Sequence, residues 1–305
     1  MLSPPDGTIS YRVAKLPKRI RLFSLVTNAC AFDAARLRLV IPSWQKSFGS
    51  RFDELVVIVD TAAPTGRIPD LHGNVTDDDL SEVREVLADL ARSDSRIRIE
   101  DLPSQEALDG TAKRWFTKDR PMRCQSGTPI LAFALAFDSA TQNEIVLRAD
   151  CDMLFFDAGW LEGAIDLLEA GEVDLVEPWG VGELEVEATW VSTRAILVNM
   201  TKFADRCLPF EPHRLHFLRR IARRSHGRPT WLALEGMLDL EVAAGRIRHR
   251  VLPDRLGSSM HVSTRAEAAI AGMEKVSAAY ERGEIPADQI RAGRNFDSSA
   301  WKELL

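Results

Sequence analysis

Cysteine is scarce and scattered. The four present, Cys30, Cys124, Cys151 and Cys207, form no CxxC pair, which argues against a zinc knuckle or a disulfide framework and points to a reducing, cytoplasmic setting. Long apolar runs are also missing: the most apolar stretch, Pro129 to Phe137, is about half of the roughly 20 residues needed to cross a bilayer. The N-terminus lacks the charged-then-apolar pattern of a secretion signal, so the expectation is a soluble or at most peripheral chain without a transmembrane segment. An excess of positive charge is absent too. Lys and Arg number 39 against 45 Asp and Glu, a formal net charge of -6, which is a poor match to a nucleic-acid backbone. There is no internal repeat and no low-complexity tract. What is present is a chain of 305 residues that is 45% hydrophobic, enough to bury a full core as one large domain or as one domain plus a small appendage.

The apolar periodicity alternates between two periods. Arg21 to Ala29 and Glu54 to Asp60 are short apolar runs bounded by turn residues, and Arg96 to Leu102 alternates, so all three predict strands. Between the first two, Asp33 is placed to cap a helix that buries Leu37, Ile41, Trp44 and Phe48, with Pro42 expected to kink or shorten it. Between the second and third, Thr76 to Arg92 has helical spacing, and Asp77, Asp78 and Asp79 suit its N-terminus. Gly127 to Ala140 predicts a buried helix opened by Pro129, and Glu144 to Phe156 a fourth strand. Strands alternating with helices in this way predict an α/β fold with a mostly parallel sheet and helices on both faces. Ligands of such sheets bind outside the carboxyl ends of the strands, where Thr27, Asp60, Asp150 and Asp152 fall. From about Thr264 onward the chain becomes a charged, alanine-rich helical tail.

The strongest chemical signal is Asp150-Cys151-Asp152, set directly after the apolar strand EIVL. In extended backbone, carboxylates two residues apart point the same way. They repel unless one takes a proton or a cation neutralises both, and Mg²⁺ or Mn²⁺ can do so while also ligating substrate phosphates. The bland alternative is a pair that ends a strand in solvent.

In order, these segments resemble the GT-A glycosyltransferases of the family 2-like type. The sequence LVTNA followed by FDELVVIVDTAAPTG is similar to that family's opening, in which the first strand enters a small-residue turn and the second ends in an aspartate on the nucleobase. The resemblance implies a Rossmann-like mixed sheet and a nucleotide-diphosphate sugar as substrate, with a UDP- or GDP-sugar as donor and the UDP-sugar favoured. It places Thr27, Asp60, Arg123, Gly127 and Asp150 on the donor side. Asp150 and Asp152 match the DxD metal motif, with His261 in GSSMHVS as a third ligand to Mn²⁺ or Mg²⁺. The segment Leu234 to Pro253 is similar to the family's acid-rich helix and following strand, which makes Glu235 the implied catalytic base, or alternatively Asp239, with Gly245 ending the helix. The implied organisation is a catalytic domain over 1–264, divided into a nucleotide-sugar half (about 20–156) and an acceptor half (157–264), then a helical tail over 265–305. The implied reaction moves the sugar to an acceptor hydroxyl with inversion.

On the acceptor side, Trp179, Trp190 and Trp231 could line a sugar-binding wall, although core packing is the commoner fate of tryptophan. Arg219, Arg220, Arg223 and Arg224 fall on neighbouring helix faces, as a solvated surface or an anion-facing stripe. Three rivals stand beside the transferase, of which a sugar nucleotidyltransferase would need a glycine-rich, arginine-bearing loop after the first strand, where TNACAFDAAR has no glycine. A phosphatase of the haloacid dehalogenase type also uses a DxD, but on its first strand. A catalytically silent GT-A-like module that binds a nucleotide sugar or a partner fits Thr61 and Gly236, which stand where the family usually has second acids.

Overall fold

The computed structural model describes residues 21–31, 33–59, 77–101, 141–156, 158–177, 195–200, 242, 244–252, 259–262, 267–285 and 295–296. The chain begins with strand β1 (Phe23–Ala29), helix α1 (Ala34–Phe48), strand β2 (Phe52–Val59), helix α2 (Asp77–Ser93) and strand β3 (Ile97–Asp101). Strands β4 (Ile145–Ala149) and β5 (Met153–Phe155) follow, then helix α3 (Leu161–Glu169) and strands β6 (Leu175–Glu177), β7 (Ala195–Asn199), β8 (His249–Val251) and β9 (Ser259–Val262). Helix α4 (Glu267–Glu281) and strand β10 (Asn295–Phe296) complete the described elements.

Seven strands form one sheet in the order β3-β2-β1-β4-β7-β6-β8. β7 is antiparallel to both β4 and β6, and every other pairing is parallel, so one strand of the seven is reversed. This is the mostly parallel α/β sheet that the alternating pattern predicts, and the mixed sheet that the resemblance implies. β2 lies between β3 and β1 and is almost wholly buried, which is why its sequence is a continuous apolar run rather than an alternating one. The chain reverses its direction of winding between β1 and β4, opening a crevice at the carboxyl ends of these two neighbours.

Residues at alternate positions, among them Leu25, Leu55, Val57, Leu147, Val176 and Leu197, point into one core with the apolar stripes of α1, α2 and α3. Its centre is aromatic. Phe48 stands edge-on to Phe23 at 5.4 Å and lies 5.1 Å from Phe155 between ring centroids, and Trp160 is edge-on to Phe48 at 6.3 Å. Ile270, Met273, Val276 and Ala279 of α4 join this core, and Lys46 of α1 reaches Glu281 at 2.8 Å.

Three local expectations are corrected. Glu144 to Phe156 is not one strand: β4 belongs to the large sheet and β5 pairs with β9 in a separate three-stranded sheet ordered β10-β9-β5. Pro42 does not shorten α1, which runs unbroken from Ala34 to Phe48. The tertiary contacts of its buried face outweigh the one backbone hydrogen bond that proline removes. Asp33 occupies the N-cap position but makes no side-chain capping bond, because its carboxylate is engaged elsewhere.

At the far edge of the sheet β8 runs parallel to β6; just before these strands Arg248 pairs with Asp174 at 2.8 Å, and His249 Nε2 lies 2.6 Å from the buried Glu177 carboxylate. Gly245, four residues before β8, has φ 68°, a left-handed conformation that glycine adopts without steric cost.

Candidate active site

Asp150, Cys151 and Asp152 occupy the turn that carries the chain from the large sheet to the small one. The Met153 amide donates to the Asp150 carbonyl at 3.1 Å, so the pair sits in a reverse turn and not in the extended backbone expected from the sequence. The turn is held on both sides. Upstream, β4 is registered against β1 and β7. Downstream, α1 holds β5 with side chains: the Trp44 indole donates to the Met153 carbonyl at 2.6 Å and the Ser47 hydroxyl to that of Phe155. Asp150 and Asp152 remain partly accessible, their side chains 28% and 16% exposed.

Among the described residues, two arginines that sequence reasoning did not single out stand against them. Arg148, on β4 and 2% exposed, donates to the Asn28 side-chain oxygen at 2.8 Å and pairs with Asp150 at 2.5 Å. Arg36, in the first turn of α1 and 5% exposed, donates to Asp33 at 3.1 Å and stands 3.8 Å from Asp152. Asp33 in turn accepts from the Cys30 amide at 2.9 Å and from its thiol at 3.1 Å, closing the loop after β1 over the base of α1. Burial alone would lower the Arg36 pKa, but the negative charges of Asp152 and Asp33 outweigh it and hold the guanidinium above its ordinary value. Burial, reinforced by Asp33 and Asp152, pushes the Cys151 thiol well up, which favours its protonated form. The sequence did carry a signal for both arginines. Each interrupts an apolar pattern, Arg148 within IVLRA and Arg36 beside Leu37, and a charge at such a position is buried only when paired.

The structure thus gathers Asp150 and Asp152 at the carboxyl ends of β1 and β4. Thr27 of β1 is buried there, and its hydroxyl finds no partner among the described residues. Its neighbour Asn28, on the opposite face of the strand, is the one that joins the charged cluster. His261 falls on β9 directly opposite Met153, so its backbone lies one residue beyond Asp152. Asp60, Arg123, Gly127, Trp179, Trp190, Trp231, Glu235 and Asp239 lie outside the described residues, as do the arginines of the basic segment.

Among the described residues no group of three His, Cys, Asp or Glu side chains converges on a metal position. A hard divalent ion bound together with phosphate needs only one or two protein carboxylates, water and phosphate oxygens completing its shell. Asp150 and Asp152 supply that number. An ionised carboxylate offers about four acceptor sites, so contact with an arginine and ligation of a metal are compatible.

No protein-family model matches the chain, and neither does any curated protein sequence. Among solved structures its backbone is similar to that of the galactosyltransferase LgtC in complex with donor and acceptor sugar analogues. The TM-score is 0.50 at 13% identity, over 93% of this chain and 100% of that one. The chain has the GT-A fold. Other similar structures are apo mouse xyloside xylosyltransferase 1 (TM-score 0.48, 10% identity, 76% of this chain and 85% of that one) and glucosyl-3-phosphoglycerate synthase from Mycobacterium tuberculosis in complex with Mn²⁺, UDP and phosphoglyceric acid (0.42, 17%, 91% and 80%). Among the described residues, no helix of this GT-A chain is long and apolar enough to cross a membrane.

Proposed function

We propose that the chain is a metal-dependent glycosyltransferase, which moves a sugar from a nucleoside-diphosphate donor, UDP- or GDP-linked, to an acceptor hydroxyl. The observation that carries this reading is the placement of two partly exposed aspartates at the winding-reversal crevice of a GT-A sheet. The bound donor and acceptor analogues of the LgtC structure support a sugar-nucleotide ligand for the same fold.

In this reading Asp150 and Asp152 hold Mn²⁺ or Mg²⁺, with His261 as a third ligand. A divalent ion bound there supplies charge stabilisation to the departing diphosphate. Arg36 and Arg148 keep the two carboxylates in position. Asp60 contacts the nucleobase, Arg123 and Gly127 face the diphosphate, and Thr27 underlies the donor wall. Glu235, or failing it Asp239, accepts the proton of the attacking hydroxyl directly or through one water, and attack opposite the leaving group inverts the anomeric centre. Trp179, Trp190 and Trp231 form the acceptor wall. The donor half is 20–156, the acceptor half 157–264 and the tail 265–305, and the setting is cytoplasmic.

A thermal-shift series with UDP-, GDP-, TDP- and CDP-sugars, with and without Mn²⁺, tests the donor. A ligand that binds only the native state raises its melting point, by about 2.7 kcal/mol of added stability at a hundredfold excess over Kd. A UDP- or GDP-sugar should do so with Mn²⁺ present, and silence from every donor would sink the reading. A binding module without catalysis, which Thr61 and Gly236 favour, predicts the same shift but no hydrolysis of the donor.

A further inference from the structure

We infer that helix α1 sets the position of the acid pair, with Trp44 as the main positioning residue: its indole holds the backbone one residue past Asp152, while Ser43 and Ser47 hold the strand that follows. The hold on the turn stands on the contacts of α1 alone. Its effect on metal and nucleotide binding rests on the reading proposed above.

β5 is three residues long and forms one edge of the small sheet. In an antiparallel ladder the N–H and C=O of one residue point to the same side, and those of successive residues to opposite sides. Met153 and Phe155 therefore turn their backbone groups to one edge, and their partners show that it is the edge away from β9. The Met153 amide donates to the Asp150 carbonyl at 3.1 Å, and the Met153 carbonyl accepts from the Trp44 indole at 2.6 Å. The Phe155 amide donates to the Ser43 hydroxyl at 3.4 Å, and the Phe155 carbonyl accepts from the Ser47 hydroxyl. Three of these four bonds end on α1, whose side chains thus take the place of a neighbouring strand. Positions 43, 44 and 47 suit this because residues three and four apart are neighbours on a helix surface. Ser43 also donates to the Val40 carbonyl at 2.9 Å, which fixes the lone pair that Phe155 uses.

Trp44 matters most because Met153 carries both restraints of the turn. Its amide closes the turn on Asp150, and its carbonyl is gripped by the indole. The Trp44 side chain is fully buried and tilted against Phe155 at 6.2 Å, so ring packing fixes where its N–H points. Without that donor the carbonyl of the buried Met153 is left unsatisfied or turns to another partner. Only Cys151 and Asp152 separate Met153 from Asp150, so such a movement passes directly to the acid pair. Groups that orient a metal ligand without touching the metal have large effects on affinity for this reason.

Two readouts on the full chain test this. Cys151 lies inside the turn and is buried, so its rate of labelling by N-ethylmaleimide, followed peptide by peptide in a mass spectrometer, reports the turn without any ligand. Calorimetric titration with Mn²⁺ in saturating UDP or GDP reports the acids. Trp44→Phe keeps an aromatic ring but has no N–H, and should label Cys151 about tenfold faster through easier local opening. The same variant should bind Mn²⁺ about tenfold more weakly. Ser47→Ala should move both readouts the same way by about threefold, the effect of one modest hydrogen bond, and Ser47→Thr, which keeps the hydroxyl, should stay near the unmodified chain. Leu87→Ala, a cavity elsewhere in the same core on α2, should lower the melting point and leave both readouts near their original values. A folded Trp44→Phe protein with unchanged Cys151 labelling overturns the inference, as does unchanged Mn²⁺ affinity where the ion binds. Leu87→Ala reproducing the Trp44→Phe pattern overturns it too, since general loosening would then be the cause. Should Trp44→Phe lose its circular-dichroism signature of folding, the two Ser47 variants decide by the same readouts. Absence of Mn²⁺ binding with either nucleotide removes the nucleotide-site reading, while the labelling rates still decide whether α1 holds the turn.

Discussion

The two ends of the sheet use the same residue types for different ends. At the amino ends of β2 and β3, Asp94 and Arg96 pair at 2.6 Å, and everything around them closes the arrangement. Arg96 donates to the carbonyls of Gly49 and Phe52 at 2.6 and 3.2 Å and stacks over the Phe52 ring at 4.0 Å, while Gln45 donates to Asp94 at 2.8 Å. This knot ties the exit of α1 to the start of β2 and the exit of α2 to the start of β3. At the carboxyl ends, Asp33, Arg36, Arg148, Asp150 and Asp152 are also paired, but the chain there turns from one sheet into another and leaves two carboxylates reachable from solvent. The difference shows that an Asp–Arg pair says little about role by itself. What separates a structural knot from a candidate site is the end of the strands it occupies and whether its acids remain reachable.

Substitution at each end tests that division. At the carboxyl end, Asp152→Ala should lower metal-dependent sugar transfer on the order of 10³-fold, about 4 kcal/mol in barrier height, with circular dichroism and melting point close to those of the parent. Near-normal transfer by that variant would take the pair out of the mechanism. At the amino end the pattern reverses. The hydrogen bond from Arg96, partly opposed by burial, brings the Asp94 pKa down to about 2 from 3.8, and a shift of that size corresponds to about 2 kcal/mol of stability.

The sign is fixed by linkage: a depressed acid stabilises the fold above its unfolded pKa, and this contribution fades as pH falls from near 4 through 2. Asp94→Asn should therefore cost about 2 kcal/mol at pH 7 in urea unfolding and flatten that part of the acid decline. Transfer per folded molecule should not change. A variant that unfolds like the parent at both pH 7 and pH 3 would contradict the assignment. The smallest effect is expected where a pair is most exposed. Arg92 and Asp89, on the outer face of α2, are 74% and 67% exposed, so Arg92→Ala should leave both the unfolding midpoint and transfer unchanged within error. A clear loss of stability there would mean that exposure is a poor guide to which pairs matter in this chain.

Much of this organisation is legible in the sequence because it depends on local period. β1, β2, β3 and α2 follow from apolar runs of strand length or from helical spacing, and their observed bounds lie close to those expected. Asp150 and Asp152 stand out because two acids close an apolar run. Other features were hidden for physical reasons. The transfer of the chain from one sheet to another between β4 and β5 is not written in the pattern, since apolar residues resume directly after the two acids and are buried on both sides of the turn. Asp33 looks like a helix cap because the residue type suits one. Its actual partners, Cys30 and Arg36, depend on how the loop after β1 folds back, and the cap bond was lost to them. Arg36 and Arg148 are separated in sequence from the acids they serve or masked by their apolar neighbours.

Sequence by itself determined the alternation of strands and helices, and with it an α/β chain whose acid pair ends a strand, because these depend on side-chain period and on contacts between near neighbours. Tertiary structure alone decided that β7 runs backwards, that the acid pair sits in a turn between two sheets, and that two buried arginines meet it from α1 and β4. Those outcomes depend on which distant segments bury each other's surfaces and charges, and a one-dimensional pattern carries no record of that choice.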